Sequence, residues 1–113
     1  MSVINIAKNH FEDLGIQSLE IPEWKDDNGK PTIIYWKPIN LYEKNIVLKK
    51  SENLSDVGVL ADLVILKALD KDNNKIFSGE DRLALMYKVD SDIISRLANA
   101  MLKVITPDEV KKN

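Results

Sequence analysis

Cysteine is absent from this chain, and histidine occurs once, at His10. Without thiols there is no disulfide framework, no thiolate metal site and no cysteine nucleophile, and a reducing cytoplasm is the expected setting. A lone imidazole beside Phe11 lacks the positioned partners that acid–base catalysis requires, so His10 reads as a packed or half-exposed side chain. Glycine and proline are scarce, at four each. There is no glycine-rich phosphate loop, no histidine pair and no nucleophile beside a base, so no enzymatic activity and no cofactor is expected. Long apolar runs are also missing, and Met1-Ser2-Val3-Ile4-Asn5 lacks the basic, then apolar, character of an export leader, which argues against membrane insertion and secretion. Positive charge is not in excess: 16 Lys and Arg stand against 18 Asp and Glu. The adjacent basic pairs are Lys49-Lys50 and Lys111-Lys112, too little for the basic footprint of a nucleic-acid binder.

What is present is a globular balance, 44% hydrophobic and 30% charged over 113 residues, enough for one domain spanning 1–113 with its own core. Ile6, His10 and Leu14 recur at helical spacing, with Ala7 and Phe11 alongside, and Gly15 stops the pattern. A short amphipathic N-terminal helix is expected within 1–15. Ser18-Leu19-Glu20-Ile21 alternates, and Thr32-Ile33-Ile34-Tyr35-Trp36 is β-branched and aromatic, so 17–38 should form a hairpin. Asn28-Gly29 between them suits a type I′ turn, which needs positive φ at both central residues. Pro22 and Pro31 fit strand ends or an edge, and Trp24 and Trp36 should pack over the sheet.

From 40 to 105 the pattern is helical. Asn40 and Glu43 have the spacing of a capping box for a helix running to about Lys50, and Ser55-Asp56 can cap a third reaching about Leu69. That third helix is unusual, because its polar residues do not share a face: Asp56 and Lys67 lie nearly opposite Gly58 and Asp62. One apolar stripe carries Leu60 and Val64, with Val57, Ala61 and Ala68; the other carries Val59, Leu63 and Leu66. Such a helix either lies at the centre of its own domain or shares one side with a partner, and Val59, Leu63 and Leu66 are the candidate partner-binding residues. Leu83, Met86 and Tyr87 recur at helical spacing in Glu80 to Val89. A last amphipathic helix, Ser91 to about Ile105, places Ile94, Leu97, Ala98, Met101, Leu102 and Ile105 on one arc. Thr106-Pro107 stops it, and 106–113 is a polar tail. The fold class is therefore α+β, a small β-hairpin packed with about four to five helices.

One segment invites a metal reading. Asp70, Asp72, Asn74, Ser78 and Asp81 occupy positions one, three, five, nine and twelve of an EF-hand loop. The sixth position, where glycine permits the tight turn, is Lys75, and the twelfth is Asp81 rather than the longer glutamate. The same residues read more simply as a polar turn from Asp70 to Asn74, two apolar side chains, Ile76 and Phe77, dropped onto the core, and a helix capped by Ser78 and Asp81. No metal ligands are assigned. Asp90 with Asp92, and Glu80 with Asp81, fall at expected helix starts, where carboxylates suit the dipole.

Two blocks together resemble the tail assembly chaperones of long-tailed bacteriophages and related prophages. The first is Leu19-Glu20-Ile21-Pro22-Glu23-Trp24 with the second strand and Pro38-Ile39-Asn40-Leu41-Tyr42-Glu43. The second runs from Leu60 to Leu102 and includes Ala68-Leu69-Asp70-Lys71-Asp72 and Lys75-Ile76-Phe77-Ser78-Gly79-Glu80-Asp81. Where similar sequences often carry glycine in the turn, this chain has Asn73-Asn74. The resemblance implies a non-enzymatic assembly factor in the cytoplasm of a bacterial host. It would bind the tape measure protein, help recruit tail tube protein, and be absent from the mature virion. It also implies a longer product made by programmed frameshifting near the end of the short form, and Lys111-Lys112-Asn113 is compatible with an adenine-rich slippery run in the gene. The alternatives are a structural tail or connector component retained in the virion, and a calcium-responsive EF-hand-like module. Self-association is compatible with either apolar stripe reaching the surface.

Overall fold

The computed structural model describes residues 2–49 and 57–102. Among them are five α-helices and a two-stranded antiparallel hairpin, in the order α1 (Val3–Asp13), β1 (Gln17–Lys25), β2 (Pro31–Trp36), α2 (Leu41–Lys49), α3 (Val57–Lys67), α4 (Arg82–Tyr87) and α5 (Ser91–Leu102). The α+β expectation holds. Ser55-Asp56, Ile105 and the 106–113 tail lie outside the described residues.

The hairpin follows its alternation. Gln17 pairs with Trp36, Leu19 with Ile34, and Ile21 with Thr32. Directly opposite residues share a face, so one face carries Ile21, Ile34 and Trp36, all buried, while Ser18, Glu20 and Ile33 point outward. β1 runs further than its alternating stretch, continuing past Pro22 to Lys25 through an irregularity in register between Ile21 and Lys25. The turn differs from the type I′ expectation. Gly29 has φ +79°, whereas Asn28 is not in the positive-φ region. This is the three-residue loop in which an ordinary turn is followed by one left-handed residue. Asp26 explains the choice, because its Oδ1 accepts the backbone N–H groups of both Asn28 (2.8 Å) and Lys30 (3.0 Å), an interaction that the mirror-image turn would not offer.

The same loop occurs again after α3. The chain leaves the helix at Lys67, and Leu69 pairs with Tyr35 on the free edge of β2, donating at 2.7 Å and accepting at 2.9 Å. Leu69 also bridges to Lys75. Between them Asp70 Oδ1 accepts from the N–H groups of Asp72 (2.8 Å) and Asn74 (3.0 Å), as Asp26 does in the first loop. The left-handed position falls on Asn73, with φ +69°, where the first loop has Gly29. Asparagine tolerates this region better than most residues.

The segment with EF-hand spacing is thus a second hairpin loop welded to the sheet. Asp70 is committed to its own turn, and Asp81 accepts the Ser78 N–H at 2.9 Å. Phe77 packs against the core, but Ile76 does not join it and remains 37% exposed. Ile76 instead contributes its backbone N–H to Ala68.

α3 lies at the centre. It packs on α5, α4 and α2, so both of its apolar stripes are covered: Val59, Leu63, Val64 and Ala68 have no exposed surface. Its two polar side chains are neutralised in place. Asp62, 7% exposed, accepts from Arg82 Nε at 2.8 Å; Lys67, 6% exposed, donates to Glu43 Oε1 at 2.9 Å and to the Pro38 carbonyl at 3.3 Å. Glu43 is also half of the expected capping box, in which Asn40 and Glu43 exchange hydrogen bonds at 2.8 and 3.2 Å. The Lys67 pair thereby ties the start of α2 to the end of α3.

α5 buries Ile93, Ile94, Leu97, Ala98 and Met101 and reaches β1, where Arg96 clamps Glu23 through two hydrogen bonds of 3.1 and 2.8 Å. In α4 the buried residue is Leu85, whereas Leu83 and Tyr87 are 66% and 76% exposed. The helical spacing of Leu83 and Tyr87 therefore marks the outer face of a helix too short to show a full repeat.

Candidate docking surface

The residues singled out for partner binding do not form a surface. Val59 and Leu63 are fully buried, and only Leu66 keeps partial exposure. The physical reason is the position of α3: neighbours on several sides cover a helix that carries apolar side chains all round. Val59 and Leu63 are core residues, and Leu66 packs against the core with part of its surface exposed.

Among the described α-helices, α1 is the one that buries no side chain. At 100° per residue Ile6, His10, Val3, Leu14, Ala7, Phe11 and Ile4 sweep an arc of roughly 160°, while Lys8, Glu12, Asn5, Asn9 and Asp13 complete the circle. A face of this kind ordinarily packs on a core. Here no residue of the helix is buried: Val3, Ile4 and Ile6 are 80%, 65% and 53% exposed. Their burial would be worth roughly 1 to 2 kcal/mol each on contact with a partner, at the usual value per unit of apolar area.

Local chemistry holds α1 in shape. Ser2 accepts a hydrogen bond from the Asn5 N–H at 3.4 Å, capping the start. Gly15, at φ +66°, turns the chain away in the left-handed conformation that commonly ends helices. The Gln17 side chain donates to the Leu14 carbonyl at 2.8 Å and ties the end of α1 to the start of β1.

Among the described residues, the last turn of α1 meets the body of the protein. Phe11, His10 and Leu14 form one wall of a cavity of about 220 Å³, whose other walls include Trp36, Pro38, Ile39, Met101 and Leu102. A shallower apolar hollow on the other side of Phe11 is bounded by Gly15, Ile16 and Pro38. The apolar tract therefore runs from Val3 and Ile4 along α1 to Phe11, and on to Ile16 and the cavity. His10 lies within the arc, between Ile6 and Val3, and is exposed.

The periodicity that reveals this tract was visible in the residues from Ile6 to Leu14. Its exposure was not, because an amphipathic helix at a chain end looks the same whether its face is covered or open. A second hollow, beside Ile46, Val47, Ile65 and Leu66, is bounded by the Asp62–Arg82 ion pair, whose charges are already matched to each other.

Among the described residues no group of three or more His, Cys, Asp or Glu is arranged to hold a metal, and no helix is long and apolar enough to cross a membrane. Comparison with protein-family models, with curated proteins and with solved structures finds no match to this chain.

Proposed function

We propose that this protein is a non-enzymatic tail assembly chaperone that binds the tape measure protein of a long-tailed phage or prophage and helps recruit tail tube subunits. The observation that carries the reading is α1, an amphipathic helix whose apolar face is left uncovered beside an apolar cavity. A long tape measure offers amphipathic helices, and an open apolar helix face is the kind of surface that receives them. The sequence blocks from Leu19 to Glu43 and from Leu60 to Leu102 supply the family resemblance. Within the second block the acidic turn at Asp70 and the Ser78–Asp81 cap are structural pieces that hold Phe77 on the core.

Co-expression with a tape measure protein from the same genome tests the proposal. Wild-type chaperone keeps the tape measure soluble and co-purifies with it, and Ile4→Asp, at an exposed position, loses it while retaining its own fold. Equal capture by Ile4→Asp removes α1 from the role. Failure of the wild-type protein to bind, or its presence in purified particles, defeats the chaperone reading itself.

A further inference from the structure

We infer that in the absence of a client the α1 face is covered by a second copy of this chain, through antiparallel pairing of the two α1 helices about a two-fold axis. Both halves of the contact are already on one molecule. The first two turns of α1 carry Val3, Ile4 and Ile6 into solvent, and the last turn, with Phe11 and Leu14, borders an apolar cavity. A single copy cannot join these halves, because one straight helix supplies both. An antiparallel neighbour joins them, setting Val3 and Ile4 of the second copy over Phe11 and Leu14 of the first, and the reverse. Such a contact is self-complementary and closes at two copies. Ala7, near the middle of the apolar arc, has the small side chain that lets two helices approach closely at their crossing.

The area is sufficient, though not generous. Taking roughly 110–140 Å² for a large apolar side chain in the open, the exposed parts of Val3, Ile4, Ile6, Phe11 and Ile16 come to on the order of 300–400 Å² per copy. Two copies with an ordinary polar rim then bury about 1,000–1,300 Å², the lower end of the range for specific pairs. The rim carries both signs, Lys8 and Glu12 beside Ile4 on one side and Asp13 beside Ile6 on the other, so pairing does not bring a single charge sign together. A further consideration is length: 11 residues with no buried side chain make a helix that is marginal alone in water. Pairing therefore adds helix content as well as contact.

Sedimentation velocity on the full purified chain, from about 5 to about 500 µM, reads the equilibrium directly, with far-UV ellipticity followed over the same range. The expected result is a monomer–dimer equilibrium with a dissociation constant on the order of tens of micromolar and helix signal that rises as dimer forms. Ile4→Asp and Ile6→Asp each weaken the dimer about tenfold or more. Ile33→Asp, at a 41%-exposed position on the outer face of the hairpin, leaves it unchanged. A monomer throughout that range, a dimer indifferent to Ile4→Asp and Ile6→Asp, or one equally sensitive to Ile33→Asp overturns the inference. Because the protein is measured alone, such a failure is separate from a failure to capture the tape measure.

Discussion

The two hairpin loops are a matched pair whose difference predicts a stability series. In each, an aspartate accepts two backbone N–H groups and one residue is left-handed, glycine at Gly29 and asparagine at Asn73. A Cβ added at Gly29 meets nothing within 4 Å, so Gly29→Ala introduces no clash and its cost is that of the conformation alone. That cost is about 1–2 kcal/mol for an ordinary L-residue. Gly29→Asn should cost less, about 0.5 kcal/mol, because the short amide side chain is tolerated there. In the second loop Asn73→Ala should cost about 1 kcal/mol, and Asn73→Gly should be neutral or slightly stabilising, since relief of residual strain offsets the greater chain entropy of glycine when unfolded. Urea unfolding followed by tryptophan fluorescence resolves these steps. With a slope of about 1.5 kcal/mol/M, Gly29→Ala lowers the midpoint by about 1 M and Gly29→Asn by about 0.3 M. If Gly29→Asn cost as much as Gly29→Ala, or if Asn73→Gly were clearly destabilising, the equivalence of the two loops would be refuted.

Leu63→Ala, at a position with no exposed surface, should cost about 2–5 kcal/mol by leaving a cavity in the centre of the core, which thermal or urea unfolding measures. Ile4→Asp, by contrast, should leave the unfolding midpoint of the monomer within the error of measurement. Glu43→Ala leaves the Lys67 ammonium buried without its carboxylate and should cost about 3–5 kcal/mol, whereas the double variant Glu43→Gln/Lys67→Met, which removes both charges and keeps an acceptor for the Asn40 N–H, should cost far less because no unpaired charge is left buried; comparing the two by urea unfolding separates loss of a partner from loss of the pair. Arg96, hydrogen-bonded to Glu23, lowers the Glu23 pKa from 4.5 to about 2. Its contribution is therefore fully present above pH 4.5 and lost as pH falls toward 2. Both side chains are over 40% exposed, so the effect is small and weakened by salt. The stability difference between wild type and Glu23→Gln should be flat above pH 5 and vanish near pH 2 in low-salt titrations.

Much of the fold is legible in local patterns because local chemistry determines it. The Asn40–Glu43 box, the Ser78–Asp81 cap and the alternation of β2 each depend on residues a few positions apart, and each is realised as its spacing implies. The hairpin turn was misread because Asn28-Gly29 is only part of its chemistry. Asp26, two residues earlier, captures the N–H groups that select the other turn.

The burial of Val59 and Leu63, read from the sequence as candidate partner-binding residues, has a different origin. Apolar patterning states how much of a helix wants cover, and long-range packing decides which helix obtains it. Val59 and Leu63 gained cover from the neighbours of α3, none of which is adjacent to them in sequence. The face of α1, with an ordinary amphipathic pattern, did not. Likewise Leu83 and Tyr87 share a face of α4 by spacing, but Leu85 turns to the core, a choice that a six-residue helix does not encode in its own periodicity.

Hydrogen exchange, read residue by residue with and without a soluble helical segment of the tape measure protein, tests the central claim most directly. The account predicts new protection concentrated in Val3 to Leu14 and in the cavity wall at Ala100 to Leu102, with α3 unchanged because it is already buried. Protection confined to other surfaces, with α1 exchanging as freely as before, would contradict it.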